Sequence, residues 1–266
     1  MGLYDAMVSS VTGMSAHANK LTNIGQNIAN IGTVGYKKVT TSFESMVNQP
    51  NWSRPAAGGV TTSSAFAITQ QGSLQGTSSA TDLAVNGDGF FVVSDASGHG
   101  YLTRAGSFTP DANGNLINAN GFYLMAYGAS GAQSGNSLAG LQKVNVGAAT
   151  NSVSIGADGA LSYQRADGTT VAPYRIPLAN VLSPQNLLAD SGNVFSLTTN
   201  SGAPAVAAPG SGGLGTINSG KLEQSTVDVA TELNNMIVAQ KDYQANAQAL
   251  KTGSDAMKTL VSLKLG

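Results

Sequence analysis

The chain has 266 residues, of which 10% are charged and 33 are Gly, with a net charge of −1. So neutral a balance lacks the basic surface that nucleic-acid phosphates demand, and partners of that class are not expected. Cys is absent, which excludes disulfides, thiolate metal sites and Cys nucleophiles. The length suffices for a sizeable core and several small domains. No apolar run approaches a membrane span, so no membrane insertion is expected. The start, Met1-Gly2-Leu3-Tyr4-Asp5, lacks a basic and then apolar leader, so no cleaved signal is expected.

Taken in order, Met7, Val11, Met14, Ala18, Leu21, Ile24 and Ile28 recur at steps of threes and fours, which predicts a helix from Leu3 to about Asn30. Asn and Gly then crowd Asn27 to Lys38 and end it, since both tolerate positive φ. Phe43, Met46 and Val47 make a short apolar patch, and Gln49 to Gly59 is rich in Pro, Asn and Gly around Trp52. Residues 39–64 therefore read as a linker or extended segment.

From Val60 the signal is antiparallel β, with Ala65 to Thr69 as a short strand. Turn sequences at Asn86-Gly87-Asp88-Gly89, Asn118-Ala119-Asn120-Gly121, Gly156-Ala157-Asp158-Gly159 and Asp167-Gly168 each stand between short apolar runs and predict hairpins. Residues 129–141 read as a low-complexity loop, Pro173 to Leu188 as irregular, and Asn193 to Leu197 as the last strand. The β domain is assigned to 65–200, and the Gly/Pro/Ala stretch 201–221 to a linker.

Residues 222–266 read as a second long helix, capped at Ser225-Thr226-Val227-Asp228, with Glu223, Asp228 and Glu232 early and Lys251, Lys258 and Lys264 late. Val229, Leu233, Met236, Tyr243, Ala247, Leu250, Met257 and Val261 form a narrow heptad-like seam. Such a seam cannot bury itself, and the helix of residues 1–38 is its expected partner. The fold class is α+β: long terminal helices paired as a coiled coil, with a mainly antiparallel β body between them.

Chemical motifs are weak. Gly210-Ser211-Gly212-Gly213-Leu214-Gly215 spells a dinucleotide fingerprint but follows no strand. Asp111, Asn113 and Asn115 start like a calcium loop, yet Leu116 and Phe122 occupy the positions of its Gly and Glu, so a turn is expected. Asp82, Asp88, Asp111 and Asp158 lie in or beside turns, where Asp serves geometry. His17 and His99 are isolated in sequence. No catalytic residue, metal site or cofactor is expected, and the chain does not read as an enzyme. A β-rich carbohydrate-binding or adhesin module shares the composition, but the terminal heptads would be idle in it.

The residues Asn27-Ile28-Ala29-Asn30, Thr33, Gly35-Tyr36-Lys37 and Phe43 resemble the N-terminal signature of the bacterial flagellar axial proteins, the rod and hook family. Asp82 to Phe91, Tyr101 to Phe108, Ser201-Gly202-Ala203-Pro204, and Gly220 with Leu222 to Asp228 resemble later motifs of that family, in its order. Met236-Ile237-Val238-Ala239-Gln240 and Tyr243-Gln244-Ala245-Asn246 look most like the hook member. The segment Gly128 to Val144 is too short for the outer domain hook proteins usually add, and the overall length is nearer the rod members.

The resemblance implies a helical homopolymer whose paired terminal helices line a central channel and whose β body forms an outer layer. It implies torque transmission and export, unfolded, through the flagellar type III apparatus. Adjoining rod, hook-cap and hook–filament junction proteins are the implied neighbours. The stripes Met7, Val11, Met14, Leu21, Ile24, Ile28 and Val229 to Val261 are then expected to pack subunits. Gly13, Gly25 and Gly253 weaken the helices, so both are expected to order on assembly.

Overall fold

A computed structural model describes residues 3–47, 57–128, 138, 140–147 and 150–264. Trp52 and most of the 129–141 loop lie outside them. The chain divides into two compact units: residues 1–31, 38–67 and 227–266 in the first, and 32–37 with 68–226 in the second.

The first unit holds α1 (Leu3–Ala29) and α2 (Val229–Lys264), which pack together, with the hairpin β1 (Val39–Val47) and β2 (Ala57–Phe66) against α1. Neither helix contains Pro, so no hydrogen bond in their ladders is forced open. The two helices meet through small residues. A methyl group on Gly13 would sit 2.9 Å from Asn246 Oδ1, and one on Gly253 would sit 2.9 Å from Met7 Cγ. Both glycines thus permit close approach at the crossing, a packing reason for residues that weaken an isolated helix. Gly25 has open space beside it.

The segment 39–64, read as a linker or extended segment, is mostly this hairpin, in register from Val39↔Phe66 to Ser45↔Val60. Its strands are rich in Thr and Ser. In the fold those hydroxyls meet a row of Asn at one-turn spacing on α1. Asn19 Nδ2 donates to Thr62 at 3.0 Å, and Asn23 Nδ2 donates to Thr41 and Ser64, each at 2.7 Å. A residue four positions on lies above its predecessor on the same helix face, so the row runs along the hairpin.

The second unit is antiparallel β. It begins with β3 (Leu74–Gly76), β4 (Leu83–Asn86), β5 (Phe90–Ser94), β6 (Gly100–Thr103), β7 (Thr109–Pro110) and β8 (Leu116–Ile117). It continues through β9 (Tyr123–Gly128), β10 (Gln142–Lys143), β11 (Thr150–Ile155), β12 (Ala160–Arg165), β13 (Thr170–Arg175) and β14 (Leu178–Asn180). It closes with β15 (Leu188–Asp190), β16 (Val194–Ser196), β17 (Ala205–Ala207), β18 (Thr216–Ser219) and β19 (Lys221–Glu223).

The main sheet runs β11-β12-β13-β9-β5-β6-β16-β15. Central β5 is buried along its whole length, so Phe90-Phe91-Val92-Val93 reads as a continuous apolar run. Leu83, Phe91, Phe108, Leu116, Leu124, Leu161, Ile176 and Leu178 are fully buried in one core. Truncating any of these leucines to Ala would cost about 2–5 kcal/mol.

Four expectations are corrected here. Asn86 to Gly89 does not close a hairpin: β4 pairs with β18, while β5 pairs with β6, β9 and β14. Gly87 and Gly89 adopt φ of 106° and 124°, outside the range of a two-residue hairpin turn, and send the chain from one sheet to another. The irregular stretch from Pro173 contains part of β13 and all of β14. The last strand is β19, because the Gly/Pro/Ala stretch 201–221 supplies β17, β18 and the first residue of β19 to partners earlier in the chain. Finally, α2 starts at Val229 and Glu223 is a strand residue.

Candidate assembly interface

Asp228 caps α2. Its Oδ1 accepts from Thr231 N–H at 2.8 Å, and its carbonyl accepts from Glu232 N–H at 3.0 Å. The Thr231 hydrogen bonds hold the Asp228 carboxyl below its usual range.

The signature residues are structural keystones. In the first unit, Asn27 is 1% exposed and mimics a strand backbone. Its Oδ1 accepts from Val39 N–H at 2.8 Å and its Nδ2 donates to the Val39 carbonyl at 2.9 Å. That Nδ2 also lies 3.4 Å from Glu232 Oε2, so one amide joins α1, β1 and α2. Asn30 closes the end of α1, its N–H donating to the Gln26 and Asn27 carbonyls and its side chain to Gln26. Ala29 is exposed beside it.

In the second unit, the Thr33 carbonyl accepts from Tyr36 N–H at 3.2 Å. Gly35 has φ +68°, and a methyl group there would lie 2.6 Å from Ala105 N, so both its backbone and its surroundings demand Gly. Its N–H donates to the Glu223 carbonyl at 2.8 Å, and Thr226 N–H donates to the Tyr36 carbonyl at 3.1 Å.

Lys37 is 1% exposed. Its Nζ lies 2.6 Å from Glu223 Oε1 and donates to the Gln70 carbonyl. Glu223 is fully buried, accepts from Gly72 N–H at 2.8 Å, and lies 3.5 Å from Arg104 Nη1. The Arg104 guanidinium sits 5.1 Å over the Phe90 ring. Burial lowers the pKa of Lys37 against the pull of Glu223, and burial lowers that of Arg104 against Glu223 and Asp88. Sequence reasoning missed Arg104 and Glu223 as partners of the signature.

The helix stripes fall in two classes. On α1, Ile24 is buried, Met7, Met14, Leu21 and Ile28 are half-buried, and Val11 is 50% exposed. On α2, Met236, Ala247 and Leu250 are half-buried, whereas Val229, Leu233, Tyr243, Met257 and Val261 are exposed. The face of α2 that packs within the unit is a different heptad row: Glu232, Ala239 and Gly253 are buried and Asn246 is half-buried. The apolar seam expected to join the two helices is thus largely left open, because small residues bring helix axes closer.

Ile237, Val238, Leu260 and Leu263, absent from the predicted seam, extend the open surface and are 50–74% exposed. Val229, Leu233 and Ile237 follow at i, i+4 and i+8, one continuous strip. Soluble helices present polar residues outward, so such strips mark a contact surface.

The remaining motifs resolve into turns and local pairs. Asp111 Oδ1 accepts from Asn113 and Asn115 N–H, each at 2.8 Å, and this turn holds its carboxyl below the usual range, mainly through the Asn115 side chain. Gly210 to Gly215 closes a turn from β17 to β18, with Gly210 N–H donating to the Gly215 carbonyl. Asp158 caps a turn at Ala160 N–H and faces Arg175 at 3.3 Å. The two His are not isolated. His17 lies 3.8 Å from Asp242 with its ring on Phe43, and His99 lies 3.3 Å from Asp95. Among the described residues, no cluster of His, Asp and Glu could hold a metal ion, and no helix is long and apolar enough to cross a membrane.

Residues 84–163 match the family model "Flagellar hook protein FlgE/F/G D1 domain", and residues 218–263 match "Flagellar basal body rod FlgEFG protein C-terminal". The chain is 31% identical to the flagellar hook protein FlgE of Brucella suis over 395 aligned positions, which cover 99% of this chain and 100% of the relative. The hook protein of Rhizobium meliloti is also 31% identical, over 405 positions, with the same coverage. The basal-body rod protein FlgG of Bacillus subtilis is 34% identical over 273 positions, 97% of this chain and 98% of the relative. The hook alignments are much longer than this chain, so those relatives carry a large segment that has no counterpart here.

Proposed function

As a member of the flagellar hook and basal-body rod protein family, this chain is a structural component of the bacterial flagellum, and we propose that it is the subunit of the hook. Self-polymerisation within the flagellar axis follows from the family. The observation that carries the reading of α2 as a polymer contact is its open apolar strip at Val229, Leu233 and Ile237, in a helix whose other face is already packed. Burial against neighbouring copies removes that surface from water. Met7, Val11, Met14, Leu21, Ile24 and Ile28 on α1, and Met236, Ala247 and Leu250 with the open residues on α2, are the proposed subunit-packing set.

The proposed setting is the hook outside the cell, reached through the flagellar export apparatus. Rod, hook-cap and hook–filament junction proteins are the proposed neighbours, with no role in nucleic-acid binding, membrane insertion or catalysis. Full-length alignment with hook relatives and the Met236–Asn246 phrase support hook. One observation favours a rod role: the rod relative aligns over nearly this chain's own length.

Immunogold electron microscopy of isolated hook–basal bodies separates the two. Label along the curved segment outside the outer membrane supports the hook subunit. Label confined below it makes the chain a rod protein, and absence of label from the whole axis refutes the axial role.

A further inference from the structure

The strand pairing of the second unit has an unusual order in the chain. Of its early strands, β3 pairs with β19, and β4 pairs with β18, from Thr216↔Asn86 to Ser219↔Leu83. The backbone around them waits for the same late segment. Gly220 N–H donates to the Asp82 carbonyl at 2.8 Å, Thr77 N–H to the Gly220 carbonyl at 2.8 Å, and Gln224 N–H to the Ser73 carbonyl at 2.9 Å. Ser219 Oγ donates to the Ala80 carbonyl at 2.7 Å. The charge partner of buried Lys37 is Glu223, from the same stretch. By contrast, β11, β12 and β13 pair with their neighbours in sequence.

We propose that this unit is a closure-last fold, in which residues 216–224 complete it and the Lys37–Glu223–Arg104 cluster is the latch. Leu83 N–H donates to the Gly106 carbonyl at 2.9 Å and Asp82 bridges Ser107, but the ladder partners of β3 and β4 all come from the late segment. Buried donors and acceptors left without partners are expensive, so β3 and β4 complete their ladders only when that segment arrives. Lys37 carries the same constraint more strongly, since a buried ammonium without its carboxylate faces the full desolvation cost. Pairing ends so far apart also makes closure slow, because loop entropy is lost before contacts reward it. A chain delivered from its N-terminus therefore keeps this unit open until its last strands are free. This holds for a rod or a hook subunit alike.

Pulsed hydrogen exchange with mass spectrometry on the full-length chain refolding from denaturant tests it. Peptides over 73–86 are expected to gain protection in the same final phase as peptides over 216–224, after those over 150–175. Protection of 73–86 before 216–224 overturns the proposal, and the order of phases in the unaltered chain decides this by itself. In Glu223→Gln, the final phase is expected to slow roughly tenfold while the 150–175 phase keeps its rate. Equal slowing of both phases, or of neither, removes the latch role.

Discussion

Replacing Leu233 and Ile237 together by Ser separates assembly from folding. Leu233 is 46% exposed and Ile237 is 50% exposed, so about half of each side chain remains to be buried on assembly. Full burial of such a side chain contributes roughly 1.5–3 kcal/mol, so the open half is worth about 1 kcal/mol at each site. The pair then accounts for roughly 2 kcal/mol per subunit added, which corresponds to about a thirtyfold rise in the critical concentration. The assay is seeded polymer growth followed by sedimentation over a dilution series, alongside thermal unfolding of the unpolymerised chain. The expected result is a shifted critical concentration with a melting temperature close to the original. An unchanged critical concentration refutes the reasoning. So does a fall in monomer stability as large as the assembly defect, since the strip would then serve the monomer.

Lys37→Met leaves the buried Glu223 carboxylate with Gly72 N–H and, as its counter-charge, the more distant Arg104, and urea unfolding of the chain is expected to lose about 3–5 kcal/mol. Asn27→Ala strips Val39 of a partner for both its N–H and its carbonyl, and is expected to cost about 1–3 kcal/mol, read as lost amide protection in β1. Asp228 has a folded pKa below its unfolded one, so its contribution is complete above about pH 4 and lost as pH falls through and below that value. Asp228→Asn is expected to keep the cap and flatten that acid dependence, followed by helical circular dichroism. Gly25→Ala meets open space and is expected to stabilise α1 by about 1 kcal/mol in thermal unfolding; a polymerisation defect in that variant would place Gly25 at a subunit contact.

We propose, in addition, that both helices order on assembly. Limited proteolysis of the unpolymerised chain tests it: early cuts at both ends are expected, and ends that survive as long as the β body speak against it.

Much of the architecture was legible locally. Helix period, absence of Pro and terminal Asn and Gly placed α1 to within a residue. Turns whose flanking strands are neighbours, such as Gly156 to Gly159 and Asp167-Gly168, were legible because two adjacent apolar runs suffice to specify them. Asn86 to Gly89 carries an equally strong turn signal and misleads, because the strand that claims β4 comes from Thr216 to Ser219. The polar hairpin within residues 39–64 was read only as linker or extended chain, for a related reason. Its Thr and Ser have meaning only opposite Asn19 and Asn23.

The same division holds at the candidate interface. The sequence by itself determined that the chain has two amphipathic terminal helices, an antiparallel β body and the family signature, since periodicity, turn residues and motif order are properties of neighbours in the chain. Tertiary structure alone decided which stripe of α2 stays open, why Gly13 and Gly253 sit in helices, and that Lys37 belongs with Glu223. Those depend on distances between residues far apart in sequence, where close approach and the cost of burying an unpaired charge select one arrangement.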